Sequence, residues 1–195
     1  HTPRPQAPND SLLSVQLHES ALNNVIEQLK LDGKESDLRE LFHEIGVMFA
    51  RPDIEAPDDV PEGVTIRFAA SEAIRVKFEQ DRCVLTLRIA ELKQGRRHRW
   101  RNFAVRAYYV PDPNQLNANL VREGSIELDG HKMTGLDRVA LSGVFSKTLS
   151  RSRPFNLVNR RLSESKELQD LQVTQFVITE GRIGLALGPQ YGAPV

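Results

Sequence analysis

Hydrophobic residues recur with two different periods along this chain, and the period changes twice. In the first part Leu22, Val25, Ile26 and Leu29 follow Ser20 at helical spacing, and Gly33 stands ready to stop the helix. The spacing predicts a helix over about 20–31. Ser36 then offers an N-cap for Leu38, Leu41, Phe42, Ile45 and Phe49, which predicts a second amphipathic helix over about 36–49, ended by Pro52. Leu12 to Leu17 reads as a short extended lead-in. Residues 52–63 carry Pro52, Pro57 and Pro61 among several acids and read as an exposed loop.

From Val64 the period is two. Val64, Ile66 and Phe68 alternate with polar residues, as do Ile74, Val76 and Phe78, then Leu85, Leu87 and Ile89. Phe103, Val105, Ala107 and Tyr109 continue the pattern, and Leu116, Ala118 and Leu120 repeat it after a turn at Pro111–Asn114. Alternation through successive short segments predicts an antiparallel meander with one dry face and one wet face. Two of its strands, over 83–92 and 99–110, are about 33–40 Å long and should twist strongly. The last part mixes both periods. Ser125–Leu128 reads as a strand, Leu141, Val144, Phe145 and Leu149 predict a helix over about 137–150, and Ser163–Asp170 a short one. Val173–Ile178 and Ile183–Leu187 form an apparent hairpin. The expected fold is therefore α+β: six to eight antiparallel strands, over about 64–128 and 173–187, wrapped over two or three amphipathic helices. One domain spans 12–188, with a Pro-rich linker or processed end at 1–11 and a tail at 189–195.

Composition supports that class. The chain has 195 residues, 39% hydrophobic and 27% charged, which suits one globular domain. Lys and Arg number 26, as do Asp and Glu, so the formal charge is zero with His neutral. A neutral chain argues against nucleic acid as a partner, because that affinity rests on neutralising phosphates. Cys83 is the one cysteine, and its alternating apolar context makes it a small core residue. No apolar run approaches the roughly 18 residues of a membrane-spanning helix. The first residue is His1, on a segment with Pro3, Pro5 and Pro8, so removal of an upstream signal or anchor is expected, and with it an extracytoplasmic or envelope location.

Enzyme signatures are missing from the local sequence. His18-Glu19 and His43-Glu44 each begin like a zinc-protease motif, but no second His follows at the required spacing. No glycine-rich phosphate loop and no Gly-x-Ser-x-Gly elbow occurs. No catalytic residue, metal ligand or cofactor is assigned, and the expected role is a non-enzymatic one.

One stretch is chemically distinct. Lys93, Arg96, Arg97, Arg99 and Arg101 surround Gly95 at the predicted tip of the long hairpin, with Trp100 among them. An aromatic inside a basic run can stack on a base, sugar or headgroup. Arg67, Arg75, Lys77, Arg88 and Arg106 extend the positive charge over the wet face. This tip and face are a candidate site for an anionic polymer or a partner protein. The same charges suit better a solvated, self-neutralised hairpin that resists sheet-to-sheet association. Arg151, Arg153, Arg160 and Arg161 form a second basic group around Pro154–Leu157; with the preceding helix it reads either as a membrane-surface segment or as a helix packed on the sheet.

The order of elements resembles a known family. A lead strand runs into Val15-Gln16-Leu17-His18-Glu19-Ser20-Ala21-Leu22-Asn23-Asn24, followed by long meandering strands, a later amphipathic helix and a closing hairpin. This looks like the tubular lipid-binding modules typified by bactericidal permeability-increasing protein and its small bacterial lipoprotein relatives. In them an early helix with a similar start is wrapped by a long twisted sheet. The resemblance covers about residues 12–188, and the present chain is shorter and its strands have fewer glycines than is usual there. It implies an apolar groove between sheet and helices that holds acyl chains. The residues that would line it are Leu22, Val25, Ile26, Phe68, Phe78, Leu87, Phe103, Val105 and Phe145, all of which serve equally well as ordinary core.

Overall fold

The computed structural model describes residues 7–9, 11–48, 56, 58, 60–112, 118–156 and 171–189. The short helix expected at 163–170, and Arg160 and Arg161, lie outside the described residues. Among those described, the fold is α+β and mostly antiparallel sheet. Ten strands and three helices follow in the order β1 (Leu13–His18), α1 (Glu19–Glu27), β2 (Glu35–Asp37), α2 (Leu38–Met48), β3 (Val64–Phe68), β4 (Ile74–Glu79), β5 (Arg82–Gln94), β6 (His98–Pro111), β7 (Asn119–Gly130), α3 (Gly135–Thr148), β8 (Phe155–Asn156), β9 (Leu171–Thr179) and β10 (Arg182–Pro189).

The strands form two sheets rather than one. Seven make the larger sheet, ordered β2-β3-β5-β6-β7-β8 with β4 also on β5, and three make a smaller sheet ordered β1-β10-β9. The two join where hairpin turns interlock: Gly181 N donates to Phe78 O at 2.8 Å, and Asp81 N to Ile178 O at 3.1 Å.

β3 and β4 are not successive members of a meander. β3 pairs with the far half of β5 (Val64↔Gln94 to Phe68↔Ile89) and β4 with its near half (Ile74↔Leu87 to Glu79↔Arg82). They are two lengths of one edge, interrupted at 69–73, where Ala69 N and Ala73 O both bond to the Arg88 backbone. Likewise Leu120 and the strand expected at 125–128 belong to one strand, β7, whose register against β6 slips beside Gly124 in the left-handed region at φ +66°; Leu116 lies outside the described residues.

The helices cover the dry face. Ile26 of α1, Leu38 and Leu41 of α2, and Leu141, Val144 and Phe145 of α3 join one buried cluster with Phe68, Phe78, Leu87, Phe103 and Val105 of the sheet. The α3 helix therefore packs on the sheet instead of lying on a surface, and Phe145 meets Phe103 edge-on at 6.2 Å between centroids. Helix ends differ slightly from the pattern. His18 caps α1, its Nδ1 accepting from Ser20 N at 3.2 Å. Asp37, not Ser36, accepts the Arg39 amide at the start of α2, and Ser36 is buried in β2. α1 ends at Glu27, and Lys30 beyond it adopts φ +50°. In the Pro-rich loop Val60 is 1% exposed, so that part of it docks into the core.

Candidate functional site

The expected hairpin tip does not survive as a unit. Dry residues step by two along β5 to Ile89 and along β6 from Phe103, but the next inward residues are Leu92 and Trp100, three positions away on each strand. Asn102, at φ +52°, turns the β6 backbone through this change of side. Trp100 is consequently buried at 8% exposure. Its Nε1–H donates to Asp137 Oδ1 at 2.8 Å, and His98 stacks against it at 5.6 Å and 9°. Asp137 is also the capping-box partner of Thr134 at the start of α3, and these bonds, with those from Thr134 first, hold its carboxyl below the usual range. Trp100 thus anchors α3 to the long hairpin and offers no stacking face to a ligand.

Three of the tip cations are already ion-paired, sharing two carboxylates. Glu91 is 3% exposed at its side chain and accepts from Arg99 Nε at 2.7 Å, Arg101 Nε at 2.8 Å and Lys93 Nζ at 3.2 Å. Lys93 also reaches Glu35 of β2 at 3.0 Å. The bonds from Arg99, then Arg101, hold the Glu91 carboxyl down to about 2. Arg96 and Arg97 stand exposed in the turn. The described acids that meet this end of the face are Glu91 and Glu35, while Glu62 of the loop at 52–63 pairs with Arg39 at 3.3 Å.

The expected groove residues are likewise closed together. Phe68, Phe78, Leu87, Phe103, Val105 and Phe145 are between 0% and 8% exposed, and Ile26 is 9% exposed. Leu22 is partly buried against them, whereas Val25, at 37%, faces outward. Of these side chains, Ile26 borders one of two hollows among the described residues and the others border neither. One, of about 400 Å³, is a polar cleft between α1 and residues 72–75. Three of its polar side chains serve the sheet edge. Asn23 donates to Val76 O at 2.8 Å and accepts from Val76 N at 2.9 Å, Glu19 accepts from Phe78 N at 2.8 Å, and Asp32 from Ala73 N at 2.9 Å. The other, of about 280 Å³, is a trough on the wet face of β4, β5 and β6.

An apolar surface that the groove reading did not include lies on the smaller sheet. Register places three rows on one face: Leu17–Ile183–Ile178, Val15–Leu185–Phe176 and Leu13–Leu187–Val173. The first row belongs to the core, with Ile178 and Ile183 at 1% and 5% exposure. The face then emerges on the outer strand, where Val15 and Leu13 reach 50% and 42%, while Val173 on β9 stays buried at 9%. The lead-in and the closing hairpin carried this signal separately; only their pairing makes it one face.

Cys83 is buried at 6%, and burial pushes its thiol up to about 12, so it stays protonated at neutral pH. Among the described residues no three His, Cys, Asp or Glu stand together as a metal site, and no helix is long and apolar enough to cross a membrane. No protein-family model matches the chain, and no curated protein matches it as a relative.

Proposed function

We propose that the protein is a binding module that accommodates a lipid-like, apolar ligand, and that the ligand lies on the emergent face of the smaller sheet. One observation carries the reading: the nine-residue apolar face starts inside the core and runs outward to Val15 and Leu13 at half exposure. A continuous apolar face of this kind costs free energy in water, and a covering ligand or partner recovers it. The tubular lipid-binding resemblance supports the same chemistry through the early helix, the long twisted sheet and the closing hairpin. It now refers to a different surface, since the residues first expected to line the groove fill the core.

The test is titration with a fluorescent fatty acid. Val15→Asp places a charge in the middle row and should weaken uptake by about tenfold or more. Val139→Asp, on the 73% exposed side of α3, should leave it unchanged. Equal uptake by the wild type and Val15→Asp would remove the reading.

A further inference from the structure

On the wet face of the larger sheet cations outnumber acids at both ends. At one end they gather around the buried Glu91, which Lys93, Arg99 and Arg101 share. Toward the β4–β5 turn they stand instead around an open hollow. Register sets Arg75 of β4 and Arg106 of β6 on either side of Thr86, and Lys77 and Tyr108 on either side of Val84. The short side chains of the central strand form a floor, and the long ones of its neighbours form two walls. The result is the trough of about 280 Å³, closed at one end by Glu79 and Arg82.

Four cations line this hollow against one carboxylate. That carboxylate is fully engaged: Glu79 accepts from Arg82 at 2.9 and 2.7 Å and from Lys77 at 3.5 Å, and Arg82 in turn stacks over the Tyr108 ring at 4.8 Å. Outside the lining, Glu72 bridges Arg75 and Arg88, and Glu127 accepts the Tyr108 hydroxyl at 2.8 Å. Arg106 stands opposite Glu127 in register, yet it has no ion pair within 4.0 Å among the described residues. The walls therefore present excess positive charge across a floor that carries one hydroxyl, that of Thr86.

We infer that this trough binds a phosphate monoester group, gripped between Arg106 on one wall and Arg75 and Lys77 on the other. Guanidinium groups suit a tetrahedral oxyanion because they donate two parallel N–H bonds. The hollow has room for the phosphate and a small organic body, a liquid water taking roughly 30 Å³. The phosphate could come from a soluble ester or from a lipid headgroup; both present the same chemistry. This inference is independent of the apolar face, which lies on the other sheet.

The experiment is a titration of the whole chain with glycerol phosphate, followed by amide NMR, alongside sedimentation with phosphatidylcholine vesicles with and without phosphatidate. Glycerol phosphate should shift the amides of Thr86, Arg106 and Tyr108 saturably. Arg106→Ala and Lys77→Ala should each weaken binding by about tenfold, the loss of one charge-assisted contact. Arg96→Ala/Arg97→Ala, at the far tip, should change nothing. Affinity should fall as pH drops through about 6, where the ester loses its second charge. Binding to phosphatidate vesicles that depends on Arg106, without a glycerol phosphate response, would assign the group to a lipid headgroup. Absence of both, or an equal loss in the tip variant, overturns the site. Val15→Asp should retain the phosphate response, so failure of the apolar face and failure of the trough are read separately.

Discussion

Two side chains show how much a single position decides here. Trp100 is the only tryptophan, so its fluorescence reports one environment. Buried and bonded to Asp137, it should emit blue of an exposed indole, resist acrylamide quenching and ignore added polyanions. Trp100→Phe keeps the ring in the core but removes the donor, and should lower the unfolding free energy by about 1 kcal/mol in urea denaturation. Emission like that of free indole would return the ring to the tip. Glu91 sets a pH dependence. Its carboxyl is at about 2 in the folded chain, below its unfolded value near 4.5, so its contribution to stability is complete above about 4.5. That contribution is lost as pH falls from about 4.5 through 2. Glu91→Gln should be less stable at neutral pH and should show a shallower decline over that acid window. An unchanged acid profile would mean that the three cations do not depend on it.

At the scale of elements, α1 owes its place to a polar duty as well as to its apolar side. β4 is an edge, and an edge leaves backbone groups without partners. Asn23 supplies both a donor and an acceptor to Val76, acting like one residue of a neighbouring strand, while Glu19 and Asp32 satisfy the flanking amides. Asn23→Ala should cost about 1–3 kcal/mol, since it leaves a donor and an acceptor of β4 unsatisfied. The Val76 amide should then exchange faster, and unaltered exchange would show that α1 does not cap the edge. The repeat of apolar residues revealed most elements because burial on one face leaves a period of 3.6 or 2 in the sequence. It did not reveal that β3 and β4 share one edge, since two segments of period two look the same whether joined by a turn or laid end to end. It misplaced Trp100 for a related reason. Counting by twos back from Phe103 puts position 100 outside, and the three-residue steps from Ile89 to Leu92 and from Trp100 to Phe103 were the sign that both strands change side. Asn102, a residue type that tolerates the left-handed region, was the local cue.

For the whole molecule, the separation of surfaces matters most. The long hairpin carries excess cations at both ends, gathered around the buried Glu91 at one and lining the trough at the other, and the smaller sheet carries an apolar face that the core does not close. None of these could be assigned from one segment. The apolar face needs β1, from the start of the chain, against β9 and β10, from its end. The groove residues were legible as dry, but periodicity cannot distinguish a filled core from a lined cavity. The central claim is that the emergent face holds an apolar ligand. Native mass spectrometry of the purified chain, followed by organic extraction, tests it most directly. The account predicts a bound species in the lipid mass range that is released on denaturation and absent from Val15→Asp. A bare monomer mass after incubation with fatty acid, or the same adduct on Val15→Asp, would contradict it.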